Sequence, residues 1–164
     1  MIDCRFELNN KPMSIFWCGA TRFPAFSGLG NHVNSRTSAC NANAGPIPPG
    51  QYYIFDRQVG GLRGPFDRLF GERRDWFALY AVDGKIDDET YCDRVRRGEF
   101  RLHPKGDLGI SLGCITIDRL TDFQFLRTIL TSAKPSAVLG STFKYDSPTP
   151  YTSGASELFV LSEQ

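Results

Sequence analysis

Sixteen glycines and ten prolines cut the 164-residue chain into short segments. Each proline fixes φ and restrains the residue before it, and each glycine permits a tight turn, so long helices have little room. The segments between carry thirteen phenylalanines and six tyrosines, residues that fit pleated, half-buried surfaces. Many turns and many aromatics predict a mainly β fold, a β-rich α+β arrangement. The length suits one domain over residues 1–164, and a chain this long can bury about two-thirds of its unfolded surface.

The elements follow from local pattern. Residues 2–8 and 13–18 alternate apolar and polar around Asn9-Asn10-Lys11, as in a hairpin. Residues 19–50 read as one long polar loop, ending in the stiff run Gly45-Pro-Ile-Pro-Pro-Gly50. Strands are expected at 51–56, 76–82, 99–103, within 109–117 ending in Ile115-Thr-Ile117, and at 157–161, with loop or a short helical turn at 60–71 and loop at 146–156. Two helices are expected. One spans 87–97, with early acids, late arginines and Gly98 as its stop; the other spans about 118–132. Trp17 and Trp76 read as core aromatics.

Composition excludes several functions. The formal net charge of +1 lacks the basic face of a nucleic-acid binder. No apolar run approaches the ~20 residues a membrane span requires. The N-terminus, with Asp3 and no apolar stretch, does not read as a secretory signal peptide. No Cys-x-x-Cys pair and only two histidines argue against a metal site, and nothing calls for a cofactor. Five cysteines, at 4, 18, 40, 92 and 114, leave two options: four pair and one stays a thiol, or all stay reduced and mostly buried.

The chemically informative segment is Arg101-Leu-His103-Pro-Lys-Gly-Asp-Leu-Gly-Ile-Ser111-Leu-Gly113-Cys114-Ile-Thr-Ile. A thiol is a weak nucleophile at its free pKa of about 8.5 and needs a base or a cation beside it. His103 lies eleven residues before Cys114, with Gly106, Asp107 and Gly109 between to let the chain fold back. Gly113 would allow main-chain N–H groups to approach an oxyanion. Ser111 could orient the imidazole or add a hydrogen bond to the site. Arg101 shares a strand face with His103 and could take a substrate carboxylate bidentately. Asp107 and Asp118 could orient His103, although loop and cap roles suit them better. The plain alternative is a small core cysteine and a turn histidine.

This segment resembles the active-site motif of the L,D-transpeptidases, an upstream histidine followed by Ser/Thr-His-Gly-Cys. Ser111, Gly113 and Cys114 match; Leu112 stands where that family has a second histidine, Ile-Thr follows the cysteine, and the His-to-Cys gap is short. These departures are similar to a divergent branch, the L,D-transpeptidase effectors delivered by bacterial type VI secretion systems. That branch has an N-terminal hairpin, a Ser-Gly-x-Gly loop (here Ser27-Gly28-Leu29-Gly30) and a Gly-Pro-Ile-Pro-x-Gly-x-Tyr segment (here 45–52) before the His and Cys motifs.

The resemblance covers about residues 1–120. It implies a twisted β-sandwich or barrel with two short helices, and Cys114, His103, Ser111 and Gly113 as catalytic residues. It further implies peptidoglycan tetrapeptide stems and D-amino acids as substrates, and L,D-transpeptidase or L,D-carboxypeptidase chemistry. The chain would be made in the cytoplasm, exported by the type VI apparatus as a toxin, act in a target's periplasm and be countered by a periplasmic immunity protein.

The loop 27–50 then has two readings. Asn31, His32 and Asn34 wall the space over Cys114, or the loop is a Pro/Gly clamp across the sheet. Among rival enzymes, papain-like peptidases place Cys before His, and sortases need a later arginine that only Arg119 and Arg127 could supply. A catalytically inactive peptidoglycan-binding module is the alternative from another class.

Overall fold

The computed structural model describes residues 3–56, 75–106, 108–132 and, as a strand, 155–160. The expectations for 60–71, Asp107 and most of 146–156 lie outside these residues. Ten strands are described: β1 (Cys4–Phe6), β2 (Ser14–Cys18), β3 (Thr21–Phe26), β4 (Gly50–Asp56), β5 (Phe77–Ala81), β6 (Glu89–Cys92), β7 (Val95–Gly98), β8 (Arg101–Pro104), β9 (Ile115–Ile117) and β10 (Ala155–Val160). One α-helix is described, α1 (Leu120–Ser132).

Eight strands close a barrel in the order β1-β10-β4-β5-β8-β9-β3-β2, with β2 returning to β1. Closure leaves no unpaired edge in this sheet, and the alternation along each strand turns one face inward. Cys4 and Phe6, Phe16 and Cys18, Phe23 and Ala25, and Tyr52 and Ile54 are all buried in one core. Most neighbours are antiparallel; β1–β10 and β8–β9 are parallel. Phe123, Leu126 and Leu130 of α1 join this core at helical spacing, beside Phe77, Leu102, Ile115 and Ile117. Arg127 of α1 bonds Asp56 at the end of β4 through two nitrogens, at 2.9 and 3.2 Å.

The β-rich expectation holds, as do the first hairpin, five further strands and the later helix. Three readings are corrected. Residues 87–97 form no helix: β6 and β7 pair as a hairpin across Asp93-Arg94, both at positive φ (47° and 66°), the geometry of a two-residue turn. The early acid does cap something, since Asp87 accepts the Glu89 N–H at 3.0 Å, but it is a turn into a strand. Gly98 permits a close approach to Asp88, where a Cβ would overlap the carbonyl oxygen.

The second correction lies in the long loop, which contains β3. Pro24 disguised that strand; its carbonyl accepts the Asp118 N–H at 2.9 Å beyond the last β9 residue, where a missing N–H costs no ladder bond. Neither Trp17 nor Trp76 belongs to the core. Trp17 is half-buried beneath Arg5, 5.2 Å from its ring centre.

Candidate active site

The site is built on β8 and β9. Their parallel register pairs Leu102 with Ile115 and His103 with Thr116. Leu102, Ile115 and Ile117 fill the barrel core. Side chains alternate along a strand, so Arg101, His103 and Thr116 project from the other face, and Cys114, two residues before Thr116, shares their parity. The structure therefore brings the predicted base and nucleophile to one face of adjacent strands.

His103 is fixed on three sides. Its Nδ1 lies 2.7 Å from the Pro104 carbonyl, which can only accept, so Nδ1 carries the proton. Nε2 then faces β9 and lies 3.3 Å from Thr116 Oγ1. Trp76 stacks on the ring at 4.3 Å between centres, with planes 20° apart. That stack follows from register: Phe77 pairs with Leu102, so Trp76 comes level with His103. The imidazole is left only 6% exposed. Cys114 is half-buried and outside the disulfide, and its Sγ lies 3.9 Å from the Glu99 carbonyl.

Ser111 adds hydrogen bonds to the main chain of the site. It is buried, donates to the Cys114 carbonyl at 2.6 Å and accepts the Gly28 N–H at 3.3 Å. Ser27 does the matching work one residue earlier, donating to the Gly113 carbonyl at 3.3 Å and accepting the Ile47 N–H at 2.8 Å. The carbonyls on either side of the Cys114 amide–thiol unit are thus both held. The Gly113–Cys114 peptide is planar and trans, so holding its oxygen on Ser27 turns the Cys114 N–H to the opposite side. Gly113 itself sits at φ 124°, and a Cβ there would lie 2.8 Å from Arg97 Nη2 and 3.0 Å from Phe100 Cε1.

Arg97 explains that crowding. It is a buried cation on β7 whose guanidinium donates to the carbonyls of Ala39, Gly45 (2.9 Å) and Pro46 (3.2 Å) and lies over the Phe100 ring. Burial lowers its pKa, opposed by Tyr52. Tyr52 packs edge-on against Phe100 and donates its hydroxyl to Pro48 at 2.7 Å; burial raises its pKa. A disulfide, Cys40–Cys92, joins the same loop to the β6–β7 hairpin.

The loop 27–50 is accordingly a clamp under the segment 111–114. Asn34 is buried in it, with φ 52°, and its side chain accepts the Ser27 N–H and donates to the Lys11 carbonyl. His32 bonds Ser38 at 2.9 Å.

Arg101 lies on the Cys114 face with its fork occupied, Nη1 and Nη2 donating to the two Asp88 oxygens at 2.6 and 2.8 Å. Burial lowers its pKa, but the Asp88 hydrogen bond and charge, with Tyr80 and Cys114, outweigh it and the net shift is upward. Asp118 pairs with Lys105 at 3.0 Å. Among the described residues no group of three or more His, Cys, Asp or Glu side chains is arranged to hold a metal ion, and no helix is long and apolar enough to cross a membrane.

Sequence reasoning missed Trp76, Thr116, Arg97 and the purpose of Ser27. Ser27 and Thr116 lay inside quoted motifs; Trp76 and Arg97 are placed by pairing that no local pattern announces.

Residues 21–141 match the family model described as the Tlde1 domain, well over half of the chain. The chain belongs to the Tlde1 domain family. This is the type VI secretion L,D-transpeptidase effector family, which the Ser111-x-Gly113-Cys114 resemblance anticipated. The matched span of the Tlde1 domain runs from β3 through α1 and contains the clamp, His103 and Cys114. No curated protein matches the chain.

Proposed function

We propose that this Tlde1 domain is a cysteine L,D-transpeptidase acting on peptidoglycan tetrapeptide stems. The single observation that supports it best is the parallel β8–β9 register, with His103 and Cys114 on one face outside the core. Family membership supports the reaction class.

In this reading the Cys114 thiol loses its proton to His103, whose Nε2 faces β9 while Nδ1 stays on Pro104. The thiolate attacks the carbonyl of the third, L-centred stem residue. The Cys114 N–H, aimed away from the clamp, and a neighbouring main-chain N–H hold the oxyanion. D-alanine leaves with the proton from His103, and a thioester remains. A free D-amino acid, another stem's amine or water then attacks, giving exchange, cross-linking or L,D-carboxypeptidase trimming. Arg101 contributes a fixed positive charge beside the sulfur, and a substrate carboxylate reaching it would exchange with Asp88. Stems exchanged or trimmed this way are poor cross-linking donors. That suits a toxin delivered by the type VI apparatus into a competitor's periplasm, against which the producing cell keeps an immunity protein.

Mass analysis of tetrapeptide muropeptides incubated with the chain, with and without D-methionine, tests the reading. The expected result is loss of D-alanine, with D-methionine incorporated when present. Cys114→Ala should be inactive, and His103→Gln should lose roughly 10²–10⁴-fold. Unchanged muropeptides with the folded wild-type chain, together with retained affinity for the glycan, would replace this reading with a binding module.

A further inference from the structure

Two cysteines belong neither to the reaction above nor to the Cys40–Cys92 bridge. Cys4 on β1 and Cys18 on β2 are directly opposed in an antiparallel pair. Gly19 N–H bonds the Asp3 carbonyl at 2.9 Å, one residue outside that pair on each strand. A bond in that position marks Cys4–Cys18 as a non-hydrogen-bonded pair, the closer of the two antiparallel kinds, with Cα atoms about 4.5 Å apart. That spacing lies within the range a disulfide spans. Both side chains point into the core, 1% and 2% exposed, while Arg5 and Trp17 beside them point out. The two thiols thus lie side by side on the buried face of the pair.

We propose that Cys4 and Cys18 form a redox-competent dithiol. It closes to a cross-strand disulfide when the chain meets a disulfide oxidant, joining β1 to β2 and leaving Cys114 as the one remaining thiol. The inference stands apart from the transfer reaction, since it needs only an oxidant and the β1–β2 register.

The hydrogen bond from Cys4 holds the Cys18 thiol below its ordinary value against the opposing effect of burial, and the same bond, burial and the Cys18 charge push Cys4 up. Cys18 is therefore the thiol that attacks. Its thiolate displaces one thiolate from the oxidant and forms a mixed disulfide. Cys4 then attacks the Cys18 sulfur and releases the oxidant's second thiolate. Two electrons pass to the oxidant, and the two protons given up by the cysteines end on its thiolates. A link here closes the barrel between its first two strands covalently, complementing Cys40–Cys92, which ties the clamp to the hairpin.

The test uses the full chain and oxidised glutathione in two arms, one added to the folded protein and one present during refolding from denaturant, so that burial cannot shield the pair. The protein is then denatured, alkylated without reductant and digested with trypsin, which cuts after Arg5 and separates the two cysteines. The expected product is the Cys4 peptide linked to the Cys18 peptide, with Cys40–Cys92 also linked. Alkylated or singly glutathionylated Cys4 and Cys18 in both arms, where Cys40–Cys92 is closed, would overturn the proposal, as would a bridge from either to Cys114. Melting provides a second readout. The oxidised wild type should melt several degrees above oxidised Cys18→Ser, with the gap narrowing, once both are reduced, to what the buried serine alone costs. Equal melting points when oxidised would show that the link does not fit the folded barrel and would also overturn it.

Discussion

Gly113 meets two demands at one Cα. Its φ of 124° is costly for any L side chain, and the space a Cβ needs is held by the Arg97 guanidinium and the Phe100 ring. Gly113→Ala should therefore cost about 2–4 kcal/mol of stability from strain plus overpacking. It should also lower transferase activity at least ~10-fold at temperatures where the variant is folded, because the Cys114 amide moves with it. Urea unfolding and muropeptide turnover check this together; wild-type values in both would mean that the backbone here is not held. At this scale the sequence was informative where identity carries chemistry, as with a thiol, an imidazole and a glycine in one segment. It was silent on partners. Ser111 was readable as a site residue, but its bond to Gly28 spans 83 positions, so its hold on the main chain is written in no local pattern.

At the scale of elements, the stretch 87–98 was misread because charge order imitates a helix: acids first, arginines last, glycine after. What decides it is tertiary. Arg97 reaches three loop carbonyls only from a strand of the β6–β7 hairpin, and Cys92 meets Cys40 from the same hairpin. Hydrogen bonds to a charged group are worth about 1.5–3 kcal/mol each before the cost of burying the cation. Arg97→Met should strand buried carbonyls and lower the melting temperature by about 5–10 °C at roughly 2–4 °C per kcal/mol. Opening Cys40–Cys92, which closes a separation of 52 residues, removes up to about 4 kcal/mol. Reductant should accordingly destabilise the wild type more than a Cys40→Ser/Cys92→Ser variant, as read by melting curves. Equal sensitivity would mean that the bridge does not hold the clamp.

For the whole molecule, the decisive arrangement is that β8 and β9 have two faces with separate duties. One face, Leu102, Ile115 and Ile117 with Phe123 and Leu126 of α1, belongs to the core; the other carries His103, Thr116, Arg101 and Cys114. Strand alternation was legible in the sequence, and so was the helix spacing of α1. Barrel closure was not, because it rests on pairings such as β1 with β10 that join distant segments. The two faces should separate by mutation. Leu126→Ala opens a cavity in the core and should cost about 2–5 kcal/mol, with kcat near wild type for the folded fraction. Thr116→Val keeps the shape but removes the hydroxyl 3.3 Å from His103 Nε2. If the proposed reaction holds, it should lower kcat several-fold with little change in melting, because the imidazole loses its link to β9, which Cys114 directly precedes. Measured side by side, melting and kcat should move in opposite variants. Should Leu126→Ala reduce kcat as much as it reduces stability, or Thr116→Val leave kcat unchanged, the division of labour between the two faces fails, and with it the placement of the reaction on the outer one.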